Sequence, residues 1–203
     1  MGINLQKGQK IDLTKGGGAG LKKVMVGLGW DEAEQPQQAK GFLASLLGGG
    51  SQPQNIDCDA SAILCGENGK MKELVYYGQL KSSNGSVVHQ GDNLTGAGDG
   101  VDEQIIVDIP NLPSNIEKIV FIVNIYEANA RNQHFGMINN AFIKLDDMDK
   151  NVELCRFNLS ENYYGMEGMI VGEIYRYNGE WKFNAIGQPV QKASYVNDIA
   201  AKY

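Results

Sequence analysis

The sequence predicts an all-β fold: a β-sandwich with a few short helices, forming a single domain over residues 1–203. Three observations predict it. About ten short runs rich in Val, Ile and aromatic residues recur at close spacing, separated by Gly, Asn and Asp turn signals. Strand-like runs never alternate with long helical patterns, which disfavours a doubly wound parallel sheet. With 26 Gly against 5 Pro, the composition favours many turns over disorder, and the 9 Tyr favour strands. The 42% hydrophobic and 21% charged fractions are those of a soluble globular protein with a real core.

Along the chain, Ile3–Gln6 and Lys10–Thr14 alternate apolar and polar around Lys7-Gly8 and read as a hairpin or two short strands. Gly16–Gly20 is a flexible turn. Lys23–Trp30 has the composition of a buried strand. Residues 32–55 read as an insertion, in which Phe42, Leu43, Leu46 and Leu47 fall at helical spacing before a glycine stop. Asn55–Leu64 is a strand, followed by a turn at Glu67–Lys70, a strand at Leu74–Tyr77 and a turn at Ser83–Ser86. Ser86–His89 and Gln104–Ile109 are strands. Lys118–Tyr126 is nearly continuously apolar, as in a central strand covered on both faces. Ala141–Leu145 and Glu153–Leu159 are strands flanking an acidic turn at Asp146–Asn151. Gly168–Tyr177 and Trp181–Ile186 form a hairpin about Asn178-Gly179. The tail from 189 to 203 carries a short helix over Ala193–Lys202.

The stretch most suggestive of chemistry is Gly91–Glu103, a long loop between two strands that mixes glycine with Asp92, Asn93, Thr95, Asp99, Asp102 and Glu103. Long loops in compact domains are functional or disordered. Glycine lets a backbone wrap a small ion and turn carbonyls inward, and hard cations take carboxylate, amide and carbonyl oxygens in high number. Strand parity places Asp57, Asp59 and Ser61 on one side, and Ile56, Cys58, Ala60 and Ala62 on the other. Asn55-x-Asp57-x-Asp59 opens like an EF-hand, but Ala60 stands where glycine is required and Gly66 where glutamate is required. A solvated acidic turn is the alternative to a cation site.

The net charge of −6 and the lack of a basic stripe argue against nucleic acid as a main partner, and two divalent cations (+4) would carry the charge to −2. No stretch is long enough to span a bilayer, and the N-terminus lacks the apolar run of a signal peptide, so a cytoplasmic location is expected. Cys58, Cys65 and Cys155 are odd in number and lack CxxC spacing. Buried free thiols are expected, with Cys58 and Cys65 on opposite faces of their strand. His89 and His134 are the only histidines and no Ser-His-Asp arrangement is evident. Tyr76, Tyr77, Tyr163, Tyr164 and Tyr175 read as half-buried sheet residues. Arg131 and Arg176 are expected to pair with nearby carboxylates. Three functional classes stay open on these residues. One is a calcium-binding non-enzymatic protein. Another is a ligand-binding or assembly module holding an anionic metabolite or partner protein through bound calcium. The third is a divalent-metal-dependent hydrolase.

Several motifs in order narrow the choice. Gly27-Leu28-Gly29-Trp30-Asp31, Asp57-Cys58-Asp59-Ala60-Ser61-Ala62, and Gly91–Gly96 through Asp102–Ile105 resemble the TerD family of tellurium-resistance proteins. So do Tyr126-Glu127-Ala128 with Arg131, Phe135-Gly136, Asn140-Ala141-Phe142, Gly172–Arg176 and Glu180–Phe183. The resemblance runs from Ile3 to about Gly187. It implies a β-sandwich that binds two calcium ions (Ca2+) side by side at one end, in bacterial tellurite and general stress resistance.

Carried over onto matching positions, the resemblance gives Asp57, Asp59, Asp92, Asn93, Asp99, Asp102 and Glu103 as ligands. Asp31 is close by, and the backbone carbonyls of Leu94, Gly96 and Gly98 are further candidates. Expected partners are other stress-resistance proteins of a membrane-associated complex, with no nucleic acid and no direct membrane insertion. The chain departs from the family pattern in three places. Cys58 stands where leucine is usual, an outward-facing change on the far side of the strand from the aspartates. Val101-Asp102-Glu103 replaces Asp-Asp-Glu, and Glu127 replaces aspartate.

Overall fold

Among the described residues, twelve strands follow one another in the chain. The first six are β1 (Ile3–Leu5), β2 (Lys10–Asp12), β3 (Lys23–Glu32), β4 (Cys58–Cys65), β5 (Met71–Val75) and β6 (Val87–His89). The rest are β7 (Glu103–Asp108), β8 (Lys118–Ile125), β9 (Ile138–Asp147), β10 (Val152–Asn158), β11 (Gly168–Tyr177) and β12 (Glu180–Val190). Two short helices, α1 (Ala128–Arg131) and α2 (Val196–Ala200), complete the set. The computed structural model describes residues 2–14, 20–32, 55–91, 100–159 and 161–203. The glycine turn at 16–19 and the helix expected within the insertion at 33–54 lie outside them.

The strands form two six-stranded sheets, ordered β1-β10-β9-β3-β7-β6 and β2-β12-β11-β8-β4-β5. They pack face to face as a sandwich, as the composition predicts. Alternation decides which residues fill it. On β4, Cys58, Ala60, Ala62 and Leu64 point into the core between the sheets, while Ile63 and Cys65 point outward into a second apolar cluster. On β8, Ile119, Phe121, Val123 and Ile125 face the first cluster and Val120 and Ile122 the second. The helix α2 covers this outer cluster with Val196, Ile199 and Ala200. That double covering explains why both strands are apolar on both faces over most of their length, with Asp59, Ser61 and Asn124 as the buried exceptions.

Of the two readings open for the N-terminal segment the structure takes the second, two short strands at residues 3–5 and 10–12 that do not pair as a hairpin, and three other expectations are corrected. β1 runs parallel to β10 in one sheet and β2 antiparallel to β12 in the other. The turn between them, with Gly8 at φ +80 and its N–H bonded to the Ala185 carbonyl at 2.7 Å, carries the chain across the sandwich. Cys58 does not face outward. It is fully buried between the sheets, because strand parity opposite to Asp59 means inward here. The strand expected at Leu74–Tyr77 is β5, from Met71 to Val75, because Tyr76 already pairs back to Gln79 in a tight turn. The C-terminal helix is confined to Val196–Ala200, because the Ala193 N–H and the Ser194 hydroxyl are both tied to Glu167. The hairpin at Asn178-Gly179 forms as expected, with both residues at positive φ.

Candidate metal centre

The two acidic segments meet where β4 of one sheet comes alongside β7 of the other. β4 is paired with β8 along its whole length but with β5 only from Ala62 to Cys65, so the backbone of Ala60 faces away from any strand partner. Side chains of the opposite sheet take the place of that partner. The Glu103 carboxylate accepts from the Ala60 N–H, and His89 Nε2 lies 3.1 Å from the Ala60 carbonyl oxygen. His89 Nδ1 accepts from the Gly91 N–H at 3.1 Å, which leaves the ring proton on Nε2, shared towards Ala60 and the Glu103 carboxylate at 3.5 Å. Both side chains are fully buried. A Glu–His pair thus closes the open edge of β4 and ties the sheets together.

Asp102 sits one residue before the start of β7 and continues its pairing with β3. Its N–H donates to the Leu28 carbonyl at 2.8 Å, and its carboxylate accepts from the Trp30 N–H at 2.9 Å. The loop end lies over the outer face of β3. A Cβ on Gly29 would collide with the Gly100 carbonyl oxygen and the Phe142 ring, and one on Gly27 with the Val101 methyls. The Gly27-x-Gly29 alternation is therefore what lets this acidic segment lie against the sheet. Burial raises the Asp102 carboxyl pKa, the bond from Trp30 opposes that, and Asp31 adds to the rise. Asp31, exposed at the far end of β3, is held by the Asn140 amide at 2.7 Å.

Asp57 and Asp59 occupy the other side of the junction. Asp57 Oδ2 lies 3.8 Å from Arg131 Nη1, and the same guanidinium stands 3.5 Å from Glu127 and over the Tyr126 ring. Arg176 stands 3.7 Å from Glu117, so both arginines meet carboxylates as expected. Asp59, buried on the outer face of its sheet, has Asn124 Nδ2 3.4 Å from its Oδ2. Burial first, and then the charges of Glu103, Asp59, Asp57 and Asp102, hold the Cys58 thiol well above its ordinary pKa. Carboxylates from both acidic segments thus lie near this one thiol.

The structure thus brings Asp57, Asp59, Asp102 and Glu103 to one end of the sandwich, with Asp31 beside Asp102. Asp92, Asn93, Leu94, Gly96, Gly98 and Asp99 lie outside the described residues. Among the described residues no three Asp, Glu, His or Cys side chains converge at metal-binding distances. The described donors fit a hard cation in chemical type. Burial disfavours the charged form of Asp102, which a cation would favour, and the buried amide oxygen of Asn124 has no hydrogen-bond partner among the described residues. Two positions escaped the sequence reading. Asn140 stood in one of the motifs of the resemblance, but nothing in the sequence tied it to Asp31, which it positions. Asn124 left one: it is the only amide inside the apolar run 118–126.

A family model for the TerD domain matches residues 1–203. The chain belongs to the TerD family. It is 51% identical to a stress response protein, SCP2, of Bacillus subtilis, over the full length of both chains. It is 41% identical to the tellurium resistance protein TerD of Serratia marcescens, covering 93% of this chain and 91% of that one. A solved TerD homologue from Streptomyces coelicolor superposes with a TM-score of 0.62 at 21% identity, over 85% of this chain and 92% of that one, and supports the sandwich fold. No helix among the described residues is long and apolar enough to cross a membrane.

Proposed function

We propose that this chain is a calcium-binding, non-enzymatic stress-response protein of the cytoplasm that contributes to tellurite resistance. The observation that carries the reading is the junction at Ala60. Two acidic segments distant in sequence are joined there by Glu103 and His89, which brings Asp57 and Asp59 of one and Asp102 and Glu103 of the other to the same end of the sandwich. Asp57, Asp59 and Asp102 would hold the ions, with Asp31 beside them. Glu103, whose Oε2 accepts from the Ala60 N–H, would contribute its other oxygen. The loop residues Asp92, Asn93 and Asp99, with the carbonyls of Leu94, Gly96 and Gly98, would supply the rest. Bound calcium supplies positive charge that offsets the gathered carboxylates and ties the loop to the sandwich.

The non-enzymatic reading is supported by how the usual catalytic groups are spent. Both ring nitrogens of His89 serve backbone groups, and His134 Nδ1 accepts from the Gly136 N–H. Burial pushes the Cys65 thiol up to about 11 and the Cys155 thiol up to about 12. The stress and tellurite roles rest on the names of its relatives, and the partners proposed are other stress-resistance proteins of a membrane-associated complex. Calorimetric titration with calcium tests the reading. Two ions per wild-type chain are expected, with affinity lowered roughly tenfold or more in Asp102→Asn. A flat wild-type titration sinks it.

A further inference from the structure

The outer face of the second sheet carries a polar patch where an apolar one is the norm. Asp59 and Asn124 stand opposite each other in the β4–β8 register, and Ser61 is the next residue along the same face of β4. Their exposures are 3%, 0% and 0%. Burying such groups is costly unless each finds a partner. Here the pairing is incomplete: among the described residues, Asn124 Oδ1 and Ser61 Oγ are both buried without a hydrogen-bond partner.

The one contact that orients the Asn124 amide is weak. Its Nδ2 is 3.4 Å from Asp59 Oδ2, longer than the ~2.7–2.9 Å of a bond between an N–H donor and a carboxylate. Turning the amide over costs only that contact and places Oδ1 at the same separation from Asp59 Oδ2. Two oxygens at right angles about an ion bound at ~2.4 Å stand roughly 3.4 Å apart. An amide oxygen is a calcium ligand of the same class as a carboxylate, and a bare ion needs less room than a water molecule.

We propose that Asn124 is a further calcium ligand, its amide oxygen joining Asp59 at one ion and extending the centre from β4 onto β8. Ser61 Oγ flanks the same position. The assignment rests on the calcium reading above and adds a third chain segment to it. It also gives the amide inside the apolar run 118–126 a reason to be there, since a central strand buried on both faces otherwise selects apolar side chains.

The test uses the full chain, with calcium for calorimetry and terbium as a luminescent substitute, excited through Tyr126 beside Asp59. Asn124→Leu is expected to weaken one of the two ions at least tenfold and to raise the number of metal-bound waters on terbium by one, read from lifetimes in H2O and D2O. Asn124→Asp, of the same size, is expected to hold that ion as tightly as wild type or more so. If Asn124→Leu fails to fold, Asn124→Asp and Asn124→Thr carry the same comparison. Wild type with two ions, and unchanged affinity and water count in every variant, overturns the Asn124 assignment alone and leaves ordered water as the occupant. Wild type that takes up no calcium overturns the calcium reading itself.

Discussion

A single backbone residue, Ala60, shows how much of this fold depends on side chains standing in for a strand. Its N–H and carbonyl would be orphaned where β5 stops short, and Glu103 and His89 satisfy both from the opposite sheet. Removing the imidazole leaves the Ala60 carbonyl and the Gly91 N–H without their partner and opens a cavity. His89→Ala is therefore expected to lower stability by about 2–4 kcal/mol in urea denaturation. Glu103→Gln keeps a carbonyl oxygen for the Ala60 N–H and should cost about 1 kcal/mol. Asp102 is a contrasting case. Burial raises its carboxyl pKa, so the charged form costs folding free energy, and that cost grows as pH rises from the ordinary carboxylate range through the raised value. Asp102→Asn retains an acceptor for the Trp30 N–H. In chelator the variant should melt at or above the wild-type temperature, while its calcium-induced rise in Tm should be smaller. A variant that melts lower in chelator and keeps the full calcium shift would remove Asp102 from the centre.

Element by element, what could be read ahead depended on whether pairing was local. The β11–β12 hairpin was legible because Asn178-Gly179 fixes its own turn and register. The alternation of β4 was legible because Asp57, Asp59 and Ser61 mark one face. The destinations of β1 and β2 were not, since their partners lie 152 and at least 170 residues away (Ile3 with Cys155, Asp12 with Lys182) and only the assembled sandwich selects them. Helix α1 has four residues bounded by Glu127 and Asn132 at positive φ, too short to leave a periodic signal. The same division runs through the candidate centre: acidic residues announce themselves, whereas the Glu103–His89 lock and the Asn124 patch arise from contacts between strands. The turn after β9 shows one acidic residue with a local task. Burial raises the Asp147 carboxyl pKa, but N–H bonds from Lys150 and Asp149 and the Lys150 ammonium at 3.2 Å outweigh it, and the carboxyl is held below its usual range. A depressed carboxyl contributes stability above the unfolded-state value, and that contribution is lost as pH falls through the folded one. Asp147→Asn is thus expected to cost roughly 1–2 kcal/mol at neutral pH, with wild type and variant converging as pH falls through the depressed folded-state value. A difference that stays constant with pH would show that charge has no part in it.

At the scale of the molecule, the C-terminal segment decides whether the second sheet has one covered face or two. Val190, Ala193, Val196, Ile199 and Ala200 pack on Ile63, Cys65, Val120, Ile122 and Ile170. The segment is fastened at both ends. Near its start Glu167 holds Ala193 and Ser194; at its end the Tyr203 carbonyl accepts from the Met71 N–H at 2.8 Å, and Lys118 stands over the Tyr203 ring. Cys65 lies beneath it, whereas Cys58 and Cys155 lie between the sheets, where the segment does not reach. All three thiols are buried, so the native full-length chain should resist a thiol reagent and release three equivalents only on denaturation. Deleting residues 191–203 strips the cover from Cys65 alone. The truncated chain should react at one cysteine under native conditions, and mass spectrometry should place the label on Cys65. Its Tm should fall as well, because the apolar outer face is returned to water. Labelling of all three thiols would mean that the segment holds the whole sandwich closed, and labelling of none that β4 and β8 stay covered without it.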